Sequence, residues 1–360
     1  MNARIDNVLT KMNQDNINQL LVSDEYSIYY LTGKLVGTGH RMMVLVLDVN
    51  NKHKLFVHEM FNVGSVDGIE VNYFKDTDNY IEKLYNSLDS KKQVAVDKFM
   101  DARYLIGLQD LGFDLPVKNG SYIVDDIRAV KTDEEIKLMR EASLINDKVM
   151  LEIQDYIANA PKPITEQQCV DELTRLYAQY TDEGISFDPI IAFGKNGADP
   201  HSETSNTKLQ EGDGIVIDIG CIKDGYCSDM TRTVFYKECS DFKKEIFEIV
   251  KEANIRATAA IKPGMKCSEI DKVARDYITS KGYGEYFTHR LGHFIGMEVH
   301  EAGDISAAND NVVSEGMIFS IEPGIYLYDK EVGVRIENLV VVTKDGAKSL
   351  NDIPLDFKII

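Results

Sequence analysis

The chain has 360 residues, of which 44% are hydrophobic, and a formal net charge of -19 at pH 7. This length favours two domains, because single hydrophobic cores stop growing at roughly 250–300 residues. The acidic charge argues against nucleic acid and anionic lipid as partners. No apolar run reaches the about 18 residues that a membrane-spanning helix needs, so no membrane association is expected.

The first residues, MNARIDNVLTKM, lack the apolar region of a secretory signal. The five cysteines form no C-x-x-C pair, which indicates reduced thiols and neither a disulfide framework nor a zinc knuckle. We therefore expect a cytoplasmic protein.

The first third of the chain alternates helical and strand patterns. Residues 2–14 predict a helix and residues 19–23 a strand. RMMVLVLDV and HKLFVHEMF flank Asn50-Asn51, which predicts a β-hairpin. Further strands are predicted at 69–74 and 93–97, and helices near 79–88 and 101–111. This part contains no glycine-rich phosphate loop and no cluster of titratable residues, so it is interpreted as a scaffold or lid.

A boundary near residues 122–131 separates an N-terminal domain, residues 1–125, from a second domain, residues 126–360. The second domain is predicted to be duplicated. Its helices at 132–159 and 240–260 each precede a second helix, and capping boxes are predicted at Thr132/Glu135, Thr165/Gln168 and Ser268/Asp271. Each helix pair precedes a strand (185–193; near 286–298) and a hairpin (about 213–236; about 316–343). The pattern predicts two copies of helix–helix–strand–hairpin in a mixed α/β (α+β) chain.

Each predicted hairpin carries two carboxylates in an apolar strand pattern. Asp218 and Asp229 are symmetric about Lys223/Asp224, so hairpin pairing would place them opposite one another. Glu322 and Glu337 are likewise symmetric about Asp329/Lys330. If the two halves face each other, four carboxylates converge on one point.

Four buried carboxylates are strongly destabilising unless something neutralises them. Mutual protonation or arginine pairing is the structural alternative. Two divalent metal ions neutralise the set better, with His293 as an additional ligand. Oxygen donors with one imidazole favour Mn²⁺, and Co²⁺, Fe²⁺ or Zn²⁺ remain alternatives. The sequence therefore predicts a dinuclear metal centre.

Histidines support this prediction. His289, His293 and His300 lie together in THRLGHFIGMEVHE, and His201 lies in a loop rich in glycine and asparagine. The H-E-x-x-H motif of one-zinc proteases is absent.

At these residues the chain resembles the metallopeptidase family of Xaa-Pro aminopeptidases, Xaa-Pro dipeptidases (prolidases) and methionine aminopeptidases, which has the pita-bread fold. The matching stretches are FDPIIAFG, DPHSE, VIDIG, YCSDMTRTV, HRLGHFIGMEVHE, SIEPGIY and GVRIEN. The N-terminal part resembles the α/β domain of proline-specific members and creatinase, which methionine aminopeptidases lack.

The resemblance implies roles for individual residues. It implies metal ligands at Asp218, Asp229, His293, Glu322 and Glu337, catalytic histidines at His201, His289 and His300, and supporting roles for Arg335 and Tyr326. It also implies a homodimer, in which the loop containing His40 reaches the neighbouring subunit's site. A plain loop without such a role is the alternative for His40.

Two positions depart from the family pattern. Phe294 follows the metal-binding histidine, where the family usually has a small residue, and a bulky ring there is expected to narrow or reshape the substrate pocket. Asn338 replaces the usual aspartate of R-I-E-D, which removes one charge near the metal ligands.

The predicted function is hydrolysis of short Xaa-Pro peptides, with Glu322 accepting a proton and His201 and His300 stabilising the oxyanion. Arg290 is placed to bind the C-terminal carboxylate of a dipeptide, which favours an Xaa-Pro dipeptidase; a structural ion pair is its alternative. An Xaa-Pro aminopeptidase, a creatinase-like hydrolase and a non-catalytic peptide-binding module remain open.

Overall fold

The structure is a computed structural model that describes residues 3–113, 116–200 and 202–360. The chain divides into two compact units, Met1–Arg128 and Ala129–Ile360. None of the helices in the described residues has the length and apolar character needed to cross a bilayer.

The first unit is built on one mixed sheet with the strand order β4-β3-β2-β1-β5-β6. Its strands are β1 (Gln19–Val22), β2 (Met43–Asp48), β3 (His53–His58), β4 (Ile69–Phe74), β5 (Val94–Val96) and β6 (Lys118–Asn119). Its helices are α1 (Ala3–Gln14), α2 (Glu25–Thr32), α3 (Tyr80–Tyr85), α4 (Ala102–Asp110) and α5 (Ser121–Ala129). The predicted hairpin is confirmed, since β2 and β3 pair in antiparallel orientation.

The second unit repeats one order of elements, as predicted. The first half contains α6 (Asp133–Asn159), α7 (Glu166–Tyr177), β7 (Ile190–Phe193), β8 (Gly214–Ile219), β9 (Ile222–Lys223), β10 (Tyr226–Cys227) and β11 (Met230–Phe235). The second half contains α8 (Asp241–Ala260), α9 (Cys267–Ser280), β12 (Gly292–His293), β13 (Asp304–Ile305), β14 (Ile318–Ile321), β15 (Gly324–Leu327), β16 (Val332–Arg335), β17 (Asn338–Thr343) and β18 (Gly346–Ser349). The mixed α/β fold class is thereby confirmed.

Helix starts in the second unit follow the capping chemistry except at α9, since Ser240 also caps α8 by accepting the Lys243 backbone N–H. Thr132 and Thr165 form the predicted capping boxes with Glu135 and Gln168. The prediction for α9 was wrong by two residues: the Glu269 carboxylate accepts the Lys266 backbone N–H at 2.9 Å. Ser268 therefore lies within the helix, where its hydroxyl donates to Asp310 at 2.7 Å.

Each half buries its own apolar face, since the helix pair of each half packs on the hairpin of the same half. One core joins residues of α6 and α7, such as Ile153 and Leu173, to Ile217 of β8. The other joins residues of α8 and α9 to β14 and β17.

The halves meet where β11 lies beside β16. The Glu337 backbone N–H donates to the Thr231 carbonyl at 3.0 Å, and the Arg335 backbone N–H donates to Thr233 Oγ1 at 3.1 Å. The approach is close: a Cβ added to Gly333 would lie 1.7 Å from the Gly197 carbonyl oxygen. Glycine is therefore required at position 333 for the two halves to meet.

Candidate metal centre

The predicted ligands all lie at strand ends along this seam. Asp218 lies on β8, His293 on β12, and the other three in the short breaks that flank β11, β14 and β16, namely Asp229, Glu322 and Glu337. Breaks in a hairpin leave side chains free to turn toward a common point instead of alternating along a continuous strand.

The register of the second hairpin is as predicted. Ile321 pairs with Asn338 and Gly324 pairs with Arg335. The same register places Glu322 opposite Glu337.

The register of the first hairpin differs by two residues from the prediction, because Asp218 pairs with Thr231. The hairpin turns at Asp224 and Gly225, which both have positive φ, of 51° and 76°. That two-residue turn lies one residue later than the predicted centre. Asp229 is thus diagonal to Asp218 rather than directly opposite, but it stays on the same face because strands alternate with a period of two.

The candidate ligand atoms lie close together. Asp229, His293 and Glu337 each offer one ligand atom within 4.8 Å of the others. His293 Nε2 lies 3.4 Å from an Asp229 oxygen and 3.6 Å from a Glu322 oxygen. The structure thus brings the five predicted ligands to one place.

Unpaired oxygen atoms show that this group fits divalent metal ions. Among the described residues, the buried oxygens Asp218 Oδ1, Asp229 Oδ1 and Glu337 Oε1 have no hydrogen-bond partner. Buried carboxylate oxygens without a donor are strongly unfavourable, and metal coordination is the usual way in which proteins satisfy them.

The electrostatics of the site support the same interpretation. Burial raises the pKa of Asp229 well above its usual range, and the charges of Asp218 and Glu322 raise it further. Burial and the neighbouring carboxylates also raise the pKa of Glu337 well above its usual range. Burial lowers the pKa of His293, so this ring carries no charge that would neutralise the carboxylates at neutral pH.

Arg335 neutralises part of this charge, as the structural alternative proposed. Its guanidinium donates to Asp218 Oδ2 at 2.5 Å, to Tyr326 Oη at 3.0 Å and to Thr231 Oγ1 at 3.2 Å. In the part of the chain that the structure describes, Arg335 hydrogen-bonds to one carboxylate only. Its charge offsets only part of the rise that burial causes in the pKa of Asp229 and Glu322.

His289 makes hydrogen bonds through both ring nitrogens. Nδ1 lies 2.7 Å from the Arg290 carbonyl, so Nδ1 must carry the proton, and Nε2 accepts from Tyr326 Oη at 3.0 Å. Burial lowers the pKa of His289 to about 4, which keeps the ring neutral at pH 7. Arg335, Tyr326 and His289 therefore form one chain of hydrogen bonds that ends on the backbone of Arg290.

His300 packs edge-on against the candidate ligand His293, and the centroids of the two rings are 4.3 Å apart. Burial lowers the pKa of His300 to about 4, so at neutral pH the ring offers one donor and one acceptor nitrogen. His201 lies outside the described residues. His40 lies in the first unit, where its carbonyl accepts from Arg103, and its role at the site stays a prediction.

The ligand group lines a cavity of about 370 Å³ that also contains apolar and cationic side chains. An apolar wall of the cavity is formed by Phe187, Ile190 and Val299. The cavity is also lined by His289, Arg290 and His300. Within the described residues, the Arg290 guanidinium makes no hydrogen bond or salt bridge to a protein group. Arg290 therefore does not form the structural ion pair that was its alternative role with any of the described residues.

The expectation for Phe294 was wrong. Its side chain does not line the cavity formed by the described residues; it is buried in the core of the second half, 5.5 Å from the Phe319 ring between centroids. Neighbouring strand residues point to opposite faces, so the Phe294 side chain points away from the site that His293 faces. Gly303 makes room for the ring, because a Cβ there would lie 2.9 Å from Phe294.

Asn338 acts on the ligand group through a buried arginine. Its side-chain oxygen accepts from Arg232 at 2.7 Å, and Arg232 also donates to the Glu337 carbonyl at 2.5 Å. Burial lowers the pKa of Arg232 to about 10. An aspartate at position 338 would place a full negative charge beside this cation, and asparagine supplies only a dipole.

Two hydroxyls that support the ligands were not predicted. Thr231 Oγ1 donates to Glu337 at 2.7 Å, and Ser320 Oγ lies 3.2 Å from Glu322 and accepts the His293 backbone N–H at 3.0 Å. Thr231 lies two residues after Asp229, and Ser320 two residues before Glu322. Strand residues two positions apart lie on the same face, so the spacing of Thr231 and Ser320 from these carboxylates could have predicted both contacts.

The comparisons with known proteins agree with this geometry. Residues 137–344 match the model of metallopeptidase family M24, and residues 4–130 match that of the creatinase/prolidase N-terminal domain. The chain belongs to metallopeptidase family M24 and is thus a peptide-bond hydrolase. Membership of this family implies divalent metal ions at the site.

Individual relatives cover nearly the whole chain. An Xaa-Pro dipeptidase of Pyrococcus horikoshii is 32% identical over 352 residues, which cover 97% of this chain and 97% of the relative. The solved structure of an Xaa-Pro dipeptidase from Bacillus anthracis superposes with a TM-score of 0.89 at 30% identity, covering 99% of each chain. That of an X-Pro aminopeptidase from Thermotoga maritima superposes with a TM-score of 0.81 at 31% identity, covering 96% of this chain and 98% of the other.

Proposed function

We propose that this chain is an Xaa-Pro dipeptidase that uses two divalent metal ions, Mn²⁺ by preference. The proposal depends on one observation: the Arg290 guanidinium, which binds no group among the described residues, lies in the same cavity as the candidate metal ligands. Arg290 lines the cavity with Asp218, Asp229 and the other candidate ligands, and it has no partner among the described residues. When the scissile bond of a dipeptide lies at the metal centre, the residue after that bond carries the C-terminal carboxylate. The Arg290 guanidinium would bind this carboxylate.

The metal ions would be held by Asp218, Asp229, His293, Glu322 and Glu337. Oxygen donors with one imidazole favour Mn²⁺, with Co²⁺, Fe²⁺ and Zn²⁺ as alternatives. When bound, the ions supply Lewis acidity to the scissile carbonyl and the attacking water.

The protein's own groups supply the remaining steps. Glu322 is the proposed acceptor of the proton from the attacking water, since Ser320 occupies only one of its oxygens. His300, a neutral ring on the cavity, is the proposed donor to the oxyanion together with His201. His289 supports catalysis indirectly in this proposal, because both its nitrogens hold neighbouring groups: the Tyr326 hydroxyl and the Arg290 carbonyl.

The apolar wall supports proline at the second position of the substrate. Proline contributes no N–H to the scissile bond and presents a compact apolar ring. Phe187, Ile190 and Val299 offer that ring a surface that makes no demand for a hydrogen bond.

The second candidate is an Xaa-Pro aminopeptidase acting on longer peptides. Its support is the similarity to the Thermotoga maritima X-Pro aminopeptidase, at 31% identity. A non-catalytic or creatinase-like role has less support, because the ligand group is intact and retains buried oxygens without donors among the described residues.

The test compares Mn²⁺-dependent release of the first residue from Leu-Pro, Ala-Pro-Gly and Leu-Gly. We expect Leu-Pro to be cleaved fastest and Leu-Gly poorly. The variant Arg290→Met should raise KM for Leu-Pro at least about tenfold, since a charge-assisted hydrogen bond contributes roughly 1.5–3 kcal/mol. Arg175→Met, at a largely exposed arginine on α7, is the matched control and should leave KM unchanged.

Equal or faster cleavage of Ala-Pro-Gly would replace the dipeptidase proposal by the aminopeptidase. The proposal further includes a cytoplasmic homodimer, in which the loop containing His40 reaches the partner's site. The family resemblance supports the homodimer and the role of this loop. His40→Ala should therefore raise the KM of the dimer for Leu-Pro.

A further inference from the structure

Two buried asparagines occupy matching positions in the two copies. Asn146 lies on α6 and Asn254 on α8, and each is residue 14 of a helix that begins at Asp133 or Asp241. Both side chains are buried, with exposures of 0% and 2%. A buried amide must be hydrogen-bonded to be tolerated, so its partners show what it stabilises.

In both copies the partners are backbone carbonyls next to metal-ligand candidates. Asn146 Nδ2 donates to the Ile219 carbonyl at 2.8 Å, directly after Asp218. Asn254 Nδ2 donates to the carbonyls of Ile321 at 2.7 Å and Ile336 at 3.1 Å. Those two residues directly precede Glu322 and Glu337.

These carbonyls lie where the hairpin ladders are interrupted. The first hairpin breaks after Ile219, where β8 ends, and the second breaks after Ile321 and after Arg335. The breaks allow the carboxylates to converge, and they leave these carbonyls at the ends of the ladders. Ile219 and Ile321 are the last paired residues of β8 and β14, and Ile336 lies opposite Pro323, which has no N–H to donate. Each asparagine adds a donor to these carbonyls from the helix behind the strand.

The amide of each asparagine has a defined orientation. Tyr177 donates its hydroxyl proton to Asn146 Oδ1, which leaves Nδ2 facing the strand. Burial raises the pKa of Tyr177 well above its usual range, so the hydroxyl remains a donor. At Asn254 Nδ2 donates to two carbonyls, which fixes the amide with its nitrogen toward the strands.

We propose that Asn146 and Asn254 are positioning residues that hold the backbone of Asp218, Glu322 and Glu337 in the geometry that binds metal. They touch neither substrate nor metal and act from the helix side of the sheet. This inference rests on the proposed metal site. Partners behind the ligands of metal sites typically contribute about 10–100-fold in metal affinity.

The test measures Mn²⁺ binding to metal-free protein by titration calorimetry, with the melting temperature of each variant recorded in parallel. Asn254→Leu keeps the side-chain size but removes both donors, and it should weaken Mn²⁺ binding about 10–100-fold. Asn146→Leu removes one donated bond and should weaken binding less. The electron paramagnetic resonance spectrum of bound Mn²⁺ should change as well, which general destabilisation would not cause.

Matched controls lie one turn away on the same helix faces: Met150→Ala on α6 and Val250→Ala on α8. Both side chains are fully buried, so these variants should lower the melting temperature while retaining parental Mn²⁺ affinity. Should Asn254→Leu not fold, Asn254→Ala removes the same donors without placing methyl groups against the two carbonyls, and the same loss of affinity is expected.

Three outcomes separate the hypotheses. Parental Mn²⁺ affinity in both asparagine variants, or an equal loss in the two controls, overturns the positioning role and leaves the metal site intact. Failure of the unmodified protein to bind Mn²⁺ overturns the proposed function itself, and with it this inference. Weakened binding confined to the asparagine variants supports the inference.

Discussion

A buried ion pair next to His300, a proposed oxyanion donor, offers a direct test of how the second unit holds the loop that carries this histidine. Lys131 Nζ lies 2.8 Å from Glu301 Oε2, and the two side chains are only 2% and 6% exposed. The other Glu301 oxygen accepts the Met297 backbone N–H at 3.0 Å. Glu301 directly follows His300, so the pair anchors the loop that presents this histidine.

The magnitude follows from the geometry. At 2.8 Å and an effective dielectric constant of about 20, the attraction between unit charges is about 6 kcal/mol. Desolvation of both ions offsets much of this energy. Removing one partner breaks this buried ion pair, which typically costs about 3–5 kcal/mol. We expect Lys131→Met and Glu301→Gln each to destabilise the protein by that amount, and the double variant to lose clearly less than the sum.

The assay combines urea unfolding with kinetics on Leu-Pro. A displacement of a catalytic group by about 1 Å can cost about 100-fold in rate. Lys131→Met should therefore lower kcat while the protein is still fully folded. Lys266→Met, at an exposed lysine paired with Asp310, is the control and should change stability by less than about 1 kcal/mol. Strictly additive destabilisation in the double variant, or an unchanged kcat, would refute the reasoning.

Three further outcomes are expected. Phe294→Ala should lose about 3–5 kcal/mol of unfolding free energy without changing the ranking of Xaa-Pro substrates, and a broadened ranking would contradict its placement in the core. Thr231→Val removes the hydroxyl that donates to Glu337 at 2.7 Å and should weaken Mn²⁺ binding at least about tenfold; unchanged calorimetric affinity would speak against that contact. Burial raises the pKa of Cys169 to about 12 and that of Cys221 to about 11. Both thiols should stay protonated and unreactive toward a disulfide reagent at pH 8 until the protein unfolds, whereas the partly exposed Cys239 reacts first.

Much of the architecture was predictable because its signals are local. Apolar runs and capping residues located the elements of both units, and Thr132 and Thr165 marked helix starts through hydrogen bonds to residues three positions later. The repeated element order revealed the duplication. Carboxylates inside apolar strand patterns indicated the ligand group, since only a compensating partner makes such burial tolerable.

Local signals failed where a turn or a long-range contact decided the outcome. The register of the first hairpin depended on which two residues adopted positive φ, and Asp224 with Gly225 placed Asp229 diagonal to Asp218. The direction of Phe294 followed from strand alternation and from the space that Gly303 leaves, nine residues further along the chain.

The amino-acid sequence by itself determined the family, the duplicated plan and the identity of the candidate ligands, because each depends on residue type and spacing. Tertiary structure alone decided how the ligands are held. Asn146 and Asn254 lie 73 and 67 residues from the carbonyls of Ile219 and Ile321 that they bind. Arg335 reaches Asp218 over 117 residues. Such contacts join groups that only the packing of two folded halves brings together, and no periodicity in the chain records them.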